Sequence, residues 1–143
     1  MKTVTNILAT KGSEVFDIAS GASVYQALQI LAEKNVGALA VTEAGKLVGI
    51  ISERDYARKV VLEGRSSQDT LVSEIMSGDV ETVAPTASVE ECMELMTDRH
   101  IRHLPVLEDG GLVGMISIGD VVKALIADLA AMVEQLDSYI RGM

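Results

Sequence analysis

Aromatic residues are nearly absent from this chain. They make up 3% of its 143 residues, and tryptophan does not occur. Because 48% of the residues are hydrophobic, a core is still expected, built from aliphatic and methionine side chains. A chain this rich in aliphatic residues is not expected to be disordered, since disordered segments lack the apolar surface that folding requires.

Cysteine is almost as scarce. The single cysteine, Cys92, cannot form an internal disulfide, which is typical of proteins in a reducing compartment. No run approaches the ~20 apolar residues of a membrane span, and the first residues lack the apolar stretch of a secretory signal. We therefore expect a cytoplasmic protein without a membrane partner.

Basic residues are outnumbered by acidic ones. Twelve Lys and Arg stand against 21 Asp and Glu, which gives a formal net charge of −9 at pH 7. Nucleic-acid-binding proteins cluster Lys and Arg on one surface, so this balance argues against general affinity for nucleic acid.

Signatures of catalysis are missing as well. The sequence has no Gly-rich phosphate loop and no metal-ligand spacing. Cys92 has no base placed beside it, and the serines at the predicted strand ends have no His-Asp set that repeats with them. We expect neither an enzyme, nor a metal site, nor a catalytic cofactor.

The chain does contain an internal repeat. Residues Val15–Val61 align without gaps with Val80–Ile126 at a constant offset of 65, and 15 of the 47 positions are identical. The repeat extends upstream, because Val72–Met76 resembles Val4–Leu8 at an offset of 68. A single copy of such a repeat seldom buries its apolar face alone, so both copies are expected to pack into one body.

Each copy predicts the element order β-α-β-β-α. The predicted elements of the first copy are strands at Val15–Ile18, Ala38–Thr42 and Leu47–Ser52, a helix capped by Ser23, and a helix at about Arg54–Glu63. Those of the second include a helix capped by Ser88, strands at Leu104–Leu107 and Leu112–Ser117, and a helix at about Gly119–Ile140. The predicted fold class is α/β (α+β), with two repeats packed about a pseudo-twofold axis and a long C-terminal helix.

The predicted division follows this order along the chain. Residues 1–64 form the first repeat, 65–70 a polar linker, and 71–143 the second repeat with its extended helix.

Both copies place a Gly-x-x-Ser-x-x-Asp element where a strand meets a helix. In the second copy, Ser117 ends the strand and Asp120 lies in the first turn of the helix. A helix start offers unpaired N–H groups and partial positive charge, so a phosphate can lie near Ser117 while Asp120 accepts from both ribose hydroxyls. Gly119 allows close approach of a ligand. The alternative is simple N-capping, which is a common helix start.

Cations and histidines cluster at Arg99–His103, just before the next predicted strand. In an acidic protein this cluster attracts anions; the alternative is a solvated helix end whose cations complement the helix dipole. Pro105 in that strand has no N–H, so backbone groups near it can stay available for an adenine edge. The first copy has Ala40 at the position of Pro105.

The two copies therefore differ where a ligand would lie. Glu53 in the first copy replaces Ile118, and we expect the stronger half-site at Asp120, with Asp55 and Ser52 forming a weaker one or none. Arg54 either forms a surface ion pair or reaches the phosphates of the Asp120 site. Lys11 and Gly12 are predicted to close over the same phosphates.

The last predicted helix carries an apolar seam. Its members follow a 3-4-3-4-3 spacing, and further apolar residues widen the face. We expect the part beyond residue 128 to pack on a second copy of the chain through Leu129, Met132, Val133, Leu136, Tyr139 and Ile140.

These motifs together resemble those of the cystathionine β-synthase (CBS) domain, and the whole chain is similar to one tandem CBS pair, or Bateman module. The resemblance rests on His103-Leu104-Pro105-Val106, on the doubled Gly-x-Leu-Val-Gly-x-Ile-Ser, and on the Asp three residues after each Ser. Ser52-Glu53-Arg54-Asp55 and Ser117-Ile118-Gly119-Asp120 especially resemble stand-alone bacterial CBS-pair proteins, and they are also similar to plant organellar ones.

The resemblance implies adenine-nucleotide binding in clefts between the repeats, and dimerisation. It implies that Asp120 holds the ribose, that Ser117 lies near phosphate, and that backbone around Val83-Ala84 and His103-Leu104 holds the adenine. The predicted nucleotide-binding residues are Thr82, Val83, Ala84, Arg102, His103, Leu104, Pro105, Ser117, Ile118, Gly119, Asp120 and Arg54.

The function implied is a regulatory module that senses an adenine nucleotide and signals to a protein partner. AMP is the first choice of ligand; ADP, ATP, NADH and S-adenosylmethionine are admissible within the family. The alternative is a dimeric interaction module, for example with a redox protein, in which nucleotide is incidental.

Overall fold

The computed structural model describes residues 2–142. The helices are α1 (Val4–Lys11), α2 (Val24–Lys34), α3 (Glu53–Tyr56), α4 (Val72–Ile75), α5 (Val89–Arg99) and α6 (Ile118–Arg141), and the strands are β1 (Asp17–Ala19), β2 (Ala38–Glu43), β3 (Lys46–Ser52), β4 (His103–Glu108) and β5 (Gly111–Ser117). One sheet has the order β1-β2-β3, with β1 parallel and β3 antiparallel to β2; the other is the pair β4-β5. The predicted α/β fold is confirmed.

Serines begin the helices that follow strands or turns. The Ser23 and Ser88 hydroxyls accept hydrogen bonds from the backbone N–H groups of Gln26 and Glu91, three residues on. The apolar stripes of α2 and α5 then point inward. Their buried members are Val24, Ala27 and Leu31 in α2, and Val89, Cys92 and Met96 in α5.

Two compact units make up the described chain. The first contains the described residues up to Ser13, Thr82–Glu108, and those from Gly114 onward; the second contains Glu14–Glu81 and Asp109–Val113. The first unit therefore joins α1, which precedes the first repeat in the sequence, to most of the second repeat. The second unit joins α4, which precedes the second repeat, to the first repeat. The predicted division at residues 64 and 71 concerns the order of repeats along the chain and stays a prediction.

The two leading helices bond in the same way within their units. In the first unit, Val4 N donates to Ala87 O at 2.9 Å; in the second, Val72 N donates to Ala22 O at 2.8 Å. Val4 and Val72 are fully buried. The 68-residue spacing between these valines is the upstream repeat of the sequence, which shows that α1 and α4 are equivalent elements.

The first strand of the second repeat is shorter than the repeat pattern predicts. In the first repeat, Ala40 N donates to Phe16 O across the β1-β2 ladder. Pro105 occupies the equivalent position in β4 and has no N–H to donate. Only one parallel bridge, between Val83 and Val106, therefore stands where the first repeat has a three-residue strand.

The helix predicted at Arg54–Glu63 is also different in the structure. It begins as α3 and continues as a π-helical turn at Ala57–Val61, with Leu62 N donating to Ala57 O at 3.1 Å. Bonds five residues apart replace the usual four-residue ones, so the side chains after Tyr56 are rotated about the helix axis.

The C-terminal helix spans Ile118–Arg141, close to its predicted bounds. Its first turns contribute the buried residues Val121 and Ala124. Within residues 2–142, no helix has the combination of length and hydropathy that crossing a bilayer requires.

Candidate functional site

Asp120 lies at the centre of the candidate site, in the first turn of α6. Ser117 ends β5 and caps the helix: its hydroxyl accepts from Asp120 N at 3.3 Å, while Ser117 N donates to Asp120 Oδ2 at 2.8 Å. The repeated motif thus forms a reciprocal capping box, which is the alternative the sequence left open. The same box places a carboxylate and a hydroxyl side by side at one helix start.

Lys11 is the second component of this site. Its Nζ lies 2.6 Å from Asp120 Oδ2 and donates to Met115 O at 2.9 Å. The Lys11 side chain is 36% exposed and that of Asp120 19%. The Ser117 N–H and the Lys11 ammonium group both contact Oδ2 of Asp120.

Electrostatics keeps Asp120 ionised. Burial by itself would raise the pKa of Asp120, but the hydrogen bond from Lys11, those from Ser117 and the Lys11 charge lower it below its usual value. The site therefore presents a carboxylate at neutral pH.

His103 at the start of β4 belongs to the same group of charges. Burial lowers the pKa of His103; the charges of Lys11 and Arg102 lower it further, and Asp120 partly opposes them. The imidazole is therefore neutral at pH 7 and offers one donor and one acceptor.

Backbone bonds hold the remaining predicted residues around this helix start. Ile118 N donates to Arg102 O at 2.8 Å, which ties the start of α6 to the residue before β4. Val83 N donates to Pro105 O at 3.1 Å, and Val83 O accepts from Leu107 N at 2.9 Å. Both backbone groups of Val83 are therefore occupied, and an adenine edge here would have to bond its neighbours.

A side chain at position 119 would fit within the protein. A Cβ on Gly119 would meet only the Ser117 hydroxyl, at 3.6 Å, which is an ordinary contact. Packing therefore does not require glycine at position 119, and the absence of a side chain there leaves space beside the start of α6.

Most of the predicted site residues fall in the first compact unit. These are Lys11, Gly12, Thr82, Val83, Ala84, Arg102, His103, Leu104, Pro105, Ser117, Ile118, Gly119 and Asp120. Arg54, Ser52 and Asp55 belong to the second unit, where Arg54 is an exposed residue of α3. The role predicted for Arg54 at the phosphates stays a prediction.

The equivalent aspartate of the first repeat has a different environment. Asp55 Oδ2 accepts from both the backbone N–H and the hydroxyl of Ser52, at 2.9 and 3.0 Å. Lys59 Nζ lies 3.1 Å from Asp55 Oδ1 and also donates to Ile75 O. Both carboxylate oxygens are therefore engaged by the chain itself.

Sequence reasoning missed Lys59 and the carbonyl groups of Met115 and Ile75. The four-residue spacing between Asp55 and Lys59 was a readable signal, since such pairs meet on one helix face. The two carbonyl contacts had no sequence signal, because any residue type supplies a backbone oxygen.

Two other features of the described chain lie away from this site. Burial raises the pKa of the Cys92 thiol to about 11, with a contribution from Glu91, so the thiol is protonated at neutral pH. A cavity of about 280 Å³ in the second unit is lined by Leu28, Leu31, Ala32, Asn35, Val36, Gly37 and Glu53. No group of three His, Cys, Asp or Glu within residues 2–142 could hold a metal ion.

The seam residues of α6 are exposed within the described chain. Leu129, Met132 and Leu136 are each about 60% exposed, and Val133, Tyr139 and Ile140 are exposed more. Their predicted role in a dimer stays a prediction.

Comparison with known proteins shows the class to which this fold and site belong. The CBS domain model matches residues 10–62 and 72–127, so the chain belongs to the CBS domain family as a tandem pair.

Similar proteins include a mitochondrial CBS domain-containing protein of Arabidopsis thaliana, 40% identical over 98% of this chain and 72% of its own length. A solved CBS-domain protein from Burkholderia ambifaria is 50% identical, with a TM-score of 0.86 over 89% of this chain and 96% of its own. A CBS domain pair solved with 5′-methylthioadenosine and S-adenosyl-L-methionine is 26% identical, with a TM-score of 0.80 over 90% of this chain and 98% of its own.

Proposed function

We propose that this CBS pair is a regulatory module that binds an adenine nucleotide at the Asp120 site and signals to a protein partner. AMP is the first choice of ligand, with ADP, ATP, NADH and S-adenosylmethionine as further candidates. The observation that carries the proposal is the Asp120 carboxylate, which is ionised, is contacted by Lys11 through Oδ2, and stands beside the Ser117 hydroxyl at the start of a 24-residue helix.

Each part of that arrangement suits one part of a nucleotide. An ionised carboxylate can accept from ribose hydroxyls, and the positive end of the α6 dipole beside the Ser117 hydroxyl favours phosphate. The similar CBS pair that holds two adenosine compounds supports the same ligand class for this chain. Binding that differs between two states of the module would shift their populations, which a partner can read.

The Asp120 site should bind more tightly than its counterpart at Asp55. Asp55 already accepts three hydrogen bonds or ion-pair contacts from its own chain, so a ribose would have to displace them. We therefore propose one principal nucleotide site per chain.

Isothermal titration of AMP into wild type, Asp120→Asn and Asp55→Asn tests this proposal. Asparagine keeps an oxygen for the capping bond but removes the charge, so both helix starts should survive. Asp120→Asn should weaken AMP binding by at least about tenfold, whereas the matched Asp55→Asn variant should change it little. An affinity for AMP that is equal in all three proteins would refute the Asp120 site, and a wild-type protein that binds neither AMP nor the other candidate ligands would refute the sensor function.

The second candidate, an interaction module, is favoured by the exposed apolar face of α6. Its seam residues continue over more than two heptads, which is the pattern of helices that pack on another helix. We propose that a second copy of this chain covers the face; for the interaction module this homodimer is the functional unit and nucleotide is incidental.

A further inference from the structure

We propose that Lys11 makes the Asp120 site selective for adenosine compounds that carry negative charge at the 5′ position. This inference rests on the proposed function, because it concerns which ligand of that class the site prefers. Lys11 reaches Asp120 across 109 residues of sequence, so the contact depends on how α1 docks in the first unit.

The Lys11 ammonium group contacts the same carboxylate that would accept hydrogen bonds from the ribose hydroxyls. It contacts Oδ2 of Asp120 at 2.6 Å and has the Met115 carbonyl as its second acceptor, at 2.9 Å. A ribose diol that binds Asp120 through both oxygens must loosen the Lys11 contact. The cost is the loss of a charge-assisted hydrogen bond to a carboxylate whose side chain is 19% exposed.

The charge of the ligand decides whether that cost is recovered. A 5′-phosphate near Ser117 gives the displaced ammonium a new anionic acceptor a short distance away. Neutral 5′-methylthioadenosine supplies no such acceptor. S-adenosylmethionine brings a sulfonium cation close to Lys11, and it also faces the positive end of α6.

The surroundings add to this preference. His103 is neutral at pH 7 because burial and the neighbouring cations lower its pKa, so it does not replace Lys11 as the phosphate's counter-charge. Lys11 has no counterpart at the same offset in the other repeat, because six residues separate Leu8 from Val15 whereas three separate Met76 from Val80. The Lys11 cation is therefore particular to α1, the leading helix of the first unit.

The experiment compares three ligands on four proteins. AMP, 5′-methylthioadenosine and S-adenosylmethionine are titrated calorimetrically, at one ionic strength, into wild type, Lys11→Met, Lys11→Arg and Lys46→Met. Lys46 is an exposed residue at the start of β3 in the second unit, so Lys46→Met removes one positive charge outside the unit that contains Asp120.

Lys11→Met should weaken AMP about tenfold or more, because one charge-assisted hydrogen bond to phosphate is lost. It should leave 5′-methylthioadenosine and S-adenosylmethionine unchanged or bound more tightly, since Asp120 is released. Lys11→Arg should keep the wild-type order of ligands, and Lys46→Met should match wild type for all three.

Two results would overturn the inference while leaving the nucleotide sensor intact. One is an equal loss of affinity for all three ligands in Lys11→Met, which would make Lys11 a purely structural residue. The other is an unchanged ratio between AMP and 5′-methylthioadenosine. Wild-type protein that binds none of the three would overturn the proposed function itself, and this inference with it.

Discussion

At the scale of single residues, the two equivalent aspartates show what a repeat does and does not determine. The sequence predicted unequal half-sites from Pro105 and Ile118 in one copy against Ala40 and Glu53 in the other. In the structure, the two aspartates differ in which part of the chain supplies the lysine that contacts them: Lys11 for Asp120 and Lys59 for Asp55. Lys59 sits four residues after its aspartate and was foreseeable from helix spacing. Lys11 depends on long-range docking, which no local pattern encodes.

Gly49 and Gly114, which occupy the same position in the two repeats, are both explained by packing. A Cβ on Gly114 would lie 2.7 Å from Leu8 Cδ2, and one on Gly49 would lie 2.6 Å from Met76 Sδ. Leu8 and Met76 are themselves 68 residues apart, so each glycine admits the end of the leading helix of its own unit. The Gly-x-x-Ser-x-x-Asp element thus begins with a residue needed for packing.

Replacing these glycines by alanine should have unequal effects. Gly49→Ala should lower the free energy of unfolding by about 1–3 kcal/mol, because its Cβ would also meet the backbone oxygen of Ser77 at 2.9 Å. Gly114→Ala should cost less than about 1 kcal/mol, since the tip of the Leu8 side chain can rotate away. Urea unfolding of both variants gives the comparison, and a larger loss for Gly114→Ala would contradict it.

At the scale of elements, the leading helices are the part of the fold that sequence reasoning anticipated least. Helix and strand types followed from periodicity, and serine caps fixed where α2, α5 and α6 begin. The upstream repeat was visible in the sequence, but its spacing says nothing about which unit a helix joins. Periodicity did not distinguish the π-helical turn at Ala57–Val61 from an α-helix, whereas the single Val83 bridge had a readable signal in Pro105, which lacks an N–H.

Matched valine variants test the docking of both leading helices. Val4 and Val72 are fully buried and make equivalent backbone bonds, to Ala87 and Ala22 respectively. Val4→Ala and Val72→Ala should each lower the free energy of unfolding by about 1–3 kcal/mol, through lost burial and a residual cavity. Thr10→Ala, at an exposed position of α1, is the control. A Val4→Ala protein as stable as that control would show that α1 is not docked.

At the scale of the whole molecule, the exposed face of α6 is the surface through which we propose that two copies of the chain associate. Leu129, Met132 and Leu136 lie on one side of the helix, and Ala131 lies on the other. Leu136→Glu should convert a wild-type homodimer into a monomer, because a carboxylate would be buried in an apolar interface. Ala131→Glu adds the same charge and should stay dimeric.

Sedimentation equilibrium over a range of protein concentrations measures this effect directly. A wild-type protein that is monomeric throughout, or an Ala131→Glu variant that dissociates as readily as Leu136→Glu, would argue against the proposed dimer face. Because dimer formation stabilises by mass action, the wild-type melting temperature should also rise with concentration.

The exchange of leading helices between repeats has a consequence for how the chain can be divided. Cutting the chain between the repeats would leave each fragment with the leading helix of the other compact unit. Each fragment would therefore lack the leading helix that packs on its own repeat. Two copies of a single-repeat chain could complete one another by trading these helices, as domain-swapped dimers do. One polypeptide with two repeats therefore supplies both leading helices, which two single-repeat chains would have to exchange with each other.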